Sequence, residues 1–204
     1  MTAAIVRGMH RKIFFVPFLE SWSAVDAQRE WTEVHAPIWL ASPGLRGYVQ
    51  NRPIAEPWNP VPNLACAEDW FDSRDAERAL HETPHYRDVV LPDEERLFKR
   101  ANAWVSTVSA VEVLVGGPAQ RFRVLSLGGS TPDPTAVAGQ ERLEVLHVRR
   151  DPPLTSSPRI VSAWASTIDL ARDVAMRFGG FSFVTEPAVL MTPPSPPWSD
   201  EHRM

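Results

Sequence analysis

The chain has 204 residues, 44% hydrophobic and 23% charged, so it can bury a real core as one large unit or two of about 100 residues. Its net charge of −4, with no long run of one sign, offers nothing to attract nucleic acid or an anionic membrane. Cys66 is the single cysteine, which excludes an intrachain disulfide and fits a reducing cytoplasm; no apolar run approaches the roughly 20 residues of a membrane span, and residues 1–9 lack the apolar core of a secretion signal.

Lys12–Phe18 is an apolar, aromatic run of strand length. Ser21 and Ser23 are candidate caps for a helix over 23–36, whose buried face carries Ala24, Ala27, Trp31 and Val34. Pro37 ends or loosens that helix. Ser42-Pro43-Gly44 reads as a turn, Leu45–Gln50 as a half-buried strand, and the four-proline stretch Arg52–Asn63 as a loop. Leu64–Phe71 is a strand, and Ser73 caps a helix over Arg74–His81. A loop and short helix punctuated by Pro84 and Pro92 lead to the long strand Trp104–Val115. The order β-α-β-β-α-β is that of a ferredoxin-like unit.

Gly116-Gly117-Pro118 reads as a boundary, after which the pattern repeats weakly. Phe122–Leu127, Leu143–Arg149, Arg159–Ala165 and Phe181–Met191 are strands, and a helix starting at Thr167 or Asp169 runs to Phe178. The stretch 131–139, with its two prolines, leaves the first helix of the repeat short or lost. Trp70 and Trp164 each end a third strand just before a helix, as a true repeat requires. The expected organisation is α+β, with ferredoxin-like units at 10–116 and 120–191 and a proline-rich tail at 192–204.

One set of residues is distinctive as a combination. It runs Trp31-x-x-x-His35, Pro43-Gly44-Leu45-x-x-Tyr48, Glu68-Asp69-Trp70-Phe71-Asp72, Pro84, Asp93-Glu94 and Phe98. In order and spacing it resembles the EthD-domain family of dimeric α+β barrel proteins, closely over residues 12–115 and only as topology over 121–191. The resemblance implies that two ferredoxin-like units enclose a barrel within one chain, as a pseudo-dimer. It also implies a small hydrophobic substrate, an aromatic polyketide or a lactone, handled without metal or organic cofactor by cyclisation, dehydration or isomerisation. A homodimer through strand edges or helices is a further expected partner. Other readings of the same barrel are a non-catalytic small-molecule carrier and a haem-binding protein; the latter would need a proximal histidine on the correct helix.

The candidate site residues each carry two readings. His35 lies one helical turn after Trp31, and is either a general base or acid, since histidine titrates near neutrality, or a histidine fixing the turn before Pro37. Arg46, Tyr48 and Gln50 alternate onto one strand face, a polar wall for a carboxylate or enolate or else the solvent side of an edge strand. Cys66, Glu68 and Trp70 share a face, where a buried Glu68 is either a base with a raised pKa or half of an ion pair with Arg46. The expected catalytic set is His35, Arg46, Tyr48 and Glu68, with Trp31, Trp70, Gln50 and His147 binding substrate. Cys66 reads as a core residue. His81-Glu82-Thr83-Pro84-His85 spells a zinc-protease pattern, but Pro84 breaks the helix that would align its two histidines. The glycine pairs lack the strand-to-helix context of a dinucleotide site.

Overall fold

The computed structural model describes residues 4–6, 9–61, 63–115, 120–127, 142–149, 159–178 and 181–192. The glycine boundary at 116–118, the segment 131–139 and the tail from residue 193 lie outside the described residues.

Strands β1 (Ala4–Val6), β2 (His10–Pro17), β3 (Leu45–Pro53), β4 (Leu64–Phe71) and β5 (Trp104–Val115) belong to the first half, and β6 (Phe122–Leu127), β7 (Arg142–Arg149), β8 (Arg159–Ala165) and β9 (Phe181–Met191) to the second. The sheet orders are β5-β2-β4-β3 and β9-β6-β8-β7, the same antiparallel ferredoxin-like order in each half. Strand β3 pairs with β9 and β5 with β7, so the two sheets join edge to edge into a closed eight-strand barrel. Closure satisfies the edge strands that an open sheet would leave unpaired. The short β1, which the sequence reading missed, runs beside β5 beyond the point where β2 stops.

Alternation along each strand builds two layers. Ile13, Phe15 and Cys66 of the first sheet meet Leu125, Leu146, Ile160 and Phe183 of the second inside the barrel. The opposite face of the first sheet packs beneath helices α1 (Ala24–Glu30), α2 (Ala36–Leu40), α3 (Arg74–His81) and α4 (Leu91–Leu97). Ser23 and Ser73 cap α1 and α3 as expected, accepting from the Asp26 and Ala76 backbone N–H groups. Gly44 takes φ of +84° in the turn from α2 to β3, a conformation other residues rarely adopt.

Pro37 does not end its helix. A π-helical turn, Trp31–His35, precedes it, and helix resumes through Pro37 to Leu40. A second π-turn, Tyr86–Val90, stands in the same place before Pro92. Proline lacks an N–H and its ring crowds the carbonyl four residues back, and the wider π-turn accommodates both. Each π-turn flanks the cavity described below.

In the second half, α5 (Ile168–Phe178) covers the outer sheet face. The loop after β3 reaches across to help it. Ile54 and Trp58 pack into that cluster, and the Asn59 side chain bonds both to the N–H and to the C=O of Val184, at 3.1 and 3.0 Å.

Candidate functional site

A cavity of about 430 Å³ lies between the first sheet and its helices, not inside the barrel. Its floor is the sheet's outer face: Phe14 and Val16 of β2, Ala65 and Ala67 of β4, and Val105 of β5. Small alanines on β4 leave the space; Trp31, Trp39, Tyr48, Tyr86 and Phe98 give it aromatic walls. Into this apolar slot project His35, Asp69, His81, Glu94 and Arg100. Few polar groups converging in an apolar pocket is the usual build of a small-molecule site.

His35 is 5% exposed, and its Nδ1 lies 2.8 Å from Asp93 Oδ2. Asp93 also accepts from Arg96 at 2.6 Å, and although burial opposes it, these two partners hold its carboxyl below the usual range. An ionised carboxylate accepts only, so the Nδ1–H of His35 donates, which in the neutral imidazole places the lone pair on Nε2. Phe98 meets the imidazole edge-on at 5.2 Å, which fixes the ring plane. The π-turn sets His35 and Trp31 on the cavity side together.

Asp69 is the carboxylate on this face. It is 2% exposed, and Trp39 Nε1–H donates to its Oδ1 at 3.0 Å. Burial pushes its pKa up to about 8, with Trp39 and Lys12 opposing. Asp69 therefore holds its proton at neutral pH and can donate. Tyr48 stands across the strand pair from Asp69. Its hydroxyl, fully buried, accepts from Gln50 Nε2 at 3.0 Å, and burial holds the phenol protonated.

The raised pKa gives a stability prediction. The folded state keeps a proton that the unfolded chain releases above about pH 4. Stability linked to Asp69 should thus fall as pH rises from about 4 to about 8. Asp69→Asn should flatten that loss while its Oδ1 still accepts from Trp39. Melting curves at pH 5 and 8.5 check this; a variant-to-wild-type difference that is the same at both pH values would show that Asp69 ionises normally.

The expected site residues separate into three groups. His35, Trp31 and Tyr48 line the cavity, and Gln50 supports it, bonding Tyr48 and the Trp31 carbonyl at 3.0 Å each. Arg46, Glu68, Trp70 and His147 are not among the lining residues. Arg46 sits in the bulge between Leu45 and Gly47, where the register shift turns it outward to an exposed ion pair with Asp72 at 2.7 Å. Glu68 faces the barrel interior because the register pairs Tyr48 with Asp69 and Val49 with Glu68. There it is bound by Arg11, Arg123 and Asn51, so its partner is not Arg46. Against the pull of burial, those partners hold its pKa down to about 2, opposite to the expected rise. Trp70 lies beneath Arg11 at 5.0 Å. His147 sits on β7 with Glu112, 3.2 Å away. Asp93, Asp69, Glu94, Tyr86 and Arg100 complete the site. Asp69 and Asp93-Glu94 were in the distinctive residue set, so their place was legible although their role was not.

His81 lines the cavity while His85 bonds the Ile38 carbonyl at 3.0 Å, so the two histidines of the zinc-like pattern point to different neighbours. No group of three metal-ligating side chains occurs among the described residues. None of the described helices is long and apolar enough to cross a membrane.

The EthD domain model matches residues 19–101. This stretch is similar to EthD domains. It contributes α1 to α4 with β3 and β4, and both members of the His35–Asp93 pair. No curated protein matches the chain. Among solved structures, an anthrone oxidase-like protein is 11% identical with a TM-score of 0.54, covering 92% of this chain and 94% of its own. A Fusobacterium nucleatum subsp. nucleatum protein, provisionally named a monooxygenase, is 10% identical with a TM-score of 0.50, covering 93% and 94%. At such identity the likeness establishes the fold alone: an α+β barrel whose two halves here lie in one chain, the first containing the EthD-like stretch.

Proposed function

We propose that the EthD half, residues 10–116, is an acid–base enzyme for a small, flat, aromatic or lactone-type carbonyl compound, and that residues 120–191 close its barrel. The observation that carries this is the His35–Asp93 pair opening onto the same aromatic cavity as Asp69, a carboxyl protonated near neutrality. Enzymes that remove a proton next to a carbonyl need a base near the working pH and a donor for the enolate oxygen. Nε2 of His35 takes the carbon-bound proton, and Asp93 stabilises the imidazolium that forms. The enolate oxygen receives a hydrogen bond from Asp69 or Tyr48. Return of the proton from His35 to another carbon gives isomerisation. Attack of the enolate carbon on an internal carbonyl gives cyclisation, and loss of hydroxide with that proton gives dehydration. Aromatic walls hold the ring system and exclude water.

Proton exchange tests the first step without knowledge of the product. Anthrone is a suitable first probe, since one protein of similar fold is named for it; unsaturated lactones complete the panel. In oxygen-free D₂O, proton NMR should show the α-hydrogens exchanging faster with protein than with buffer. Probes that bind, by calorimetry, but exchange no faster than in buffer would leave a carrier in place of an enzyme.

A further inference from the structure

The cavity holds one permanent cation, and it is not the arginine expected from the sequence. Among the residues lining it, Arg100 alone is a lysine or arginine. It follows α4 in a short 3₁₀ turn, Arg100–Asn102, and its side chain is 41% exposed, so it marks where the cavity meets solvent. Tyr86 and His81 stand beside it. The Tyr86 and His81 rings are 4.5 Å apart edge to face, and Arg100 Nη2 points at the Tyr86 hydroxyl from 3.4 Å.

We propose that this corner recognises an anionic group on the substrate, so that the ligand is an aromatic acid whose carboxylate lies between Arg100 and Tyr86. The inference rests on the reading of the cavity as a small-molecule site. Two features of the geometry support it. The present contacts are long: 3.4 Å from Arg100 to Tyr86, and 3.2 Å from the Tyr86 hydroxyl to Glu94 Oε2. A carboxylate entering between them would accept from both donors at shorter range, and guanidinium suits a planar two-oxygen acceptor. Glu94, the present partner of Arg100 at 3.1 Å, is also the group able to yield. Burial raises its pKa even with Arg100 beside it, so when an anion takes the guanidinium, Glu94 can accept a proton instead of remaining as a second buried charge. Glu95, 3.6 Å from Arg100 on the solvent side, holds the guanidinium in place without blocking the inner donors.

Calorimetry with 1-naphthoate and 1-naphthamide tests this, because the two differ in charge and hardly in shape. The carboxylate should bind about tenfold more tightly or better, the value of one charge-assisted contact. Arg100→Gln should erase that preference, weakening the acid far more than the amide. Arg100→Lys should keep part of it, and Tyr86→Phe should reduce it. Equal affinity of wild-type protein for acid and amide would overturn the proposal and leave the cavity reading standing. Failure of both probes to bind would overturn both. A preference that survives Arg100→Gln would place the anion elsewhere and would equally end the proposal.

Discussion

Replacing His35 with alanine should lower the rate of α-proton exchange or turnover by about 10²–10⁴-fold, the usual share of general acid–base catalysis. Ligand affinity should change little, because the aromatic walls and the alanine floor remain. Asp93→Asn should also be slow: an amide can donate to Nδ1, which favours the wrong tautomer. In wild-type protein the rate should fall above about pH 8, where Asp69 loses its proton. Asp69→Asn should remove that alkaline limb. The measurement is a pH–rate profile of wild type and the three variants on one exchanging probe. A folded, ligand-binding His35→Ala protein working at the wild-type rate would sink the mechanism and return His35 to a purely structural role.

The second large effect concerns stability. Glu68 is 1% exposed and binds Arg11 from its own half and Arg123 from the other, with Asn51 donating to it at 2.9 Å. Arg123 also donates to Ser162 Oγ at 2.8 Å and lies over Trp164 at 5.1 Å. Glu68→Ala removes the carboxylate between two guanidiniums, one of them fully buried, and leaves, among the described residues, only the Glu144 charge to favour Arg123. Removing one partner of such a network costs about 3–5 kcal/mol. For a chain of this size that is a fall of roughly 6–20 °C in melting temperature. Replacing all three, Arg11→Met, Glu68→Leu and Arg123→Met, should recover part of it, because the buried charges are gone while Asn51 and Ser162 lose these buried partners. The same network sets an acid limit. A carboxyl held at about 2 contributes stability in full above about pH 4.5, and that contribution is lost as pH falls towards 2. Denaturant titrations of the single and triple variants decide it; a Glu68→Ala cost under about 1 kcal/mol would mean the interior is wetter than its burial implies.

The strands were legible because each carries its own signature. The run KIFFVPF, the alternation in LRGYVQ and the paired closing strands all fell where the sequence put them. Ser23 and Ser73 announced their helices. What sequence could not supply was the register between strands. Tyr48 and Glu68 were both read as cavity-facing, yet side chains directly across an antiparallel pair share a face, and Tyr48 pairs with Asp69. A one-residue slip exchanges the faces of a strand, and nothing local distinguishes Glu68 from Asp69. The bulge at Arg46 was invisible for the same reason. His35 and Tyr48 were singled out by the family resemblance, whereas Asp93 reaches His35 only through packing of α4 against the first π-turn, a contact between residues 58 positions apart. The continuation of helix through Pro37 was hidden because rules for proline describe the α-helix, and the chain used a wider turn.

The single carboxylate shared by two arginines has a consequence for how this chain could have diverged. Arg11 and Arg123 occupy equivalent places, on β2 and β6, each paired in register with the tryptophan near the end of β4 or β8. Glu68, however, has Ser162 as its counterpart, two residues before the second tryptophan. Two identical copies would have to change together at every position, because one substitution appears twice. Joined in one chain, the halves face each other at the high effective concentration of a tether. Each then mutates alone. One copy can supply the acid and the other a second base, and the closing half is released from keeping any cavity of its own. Dilution cannot part them, so the cavity in one half never waits on an encounter with the other.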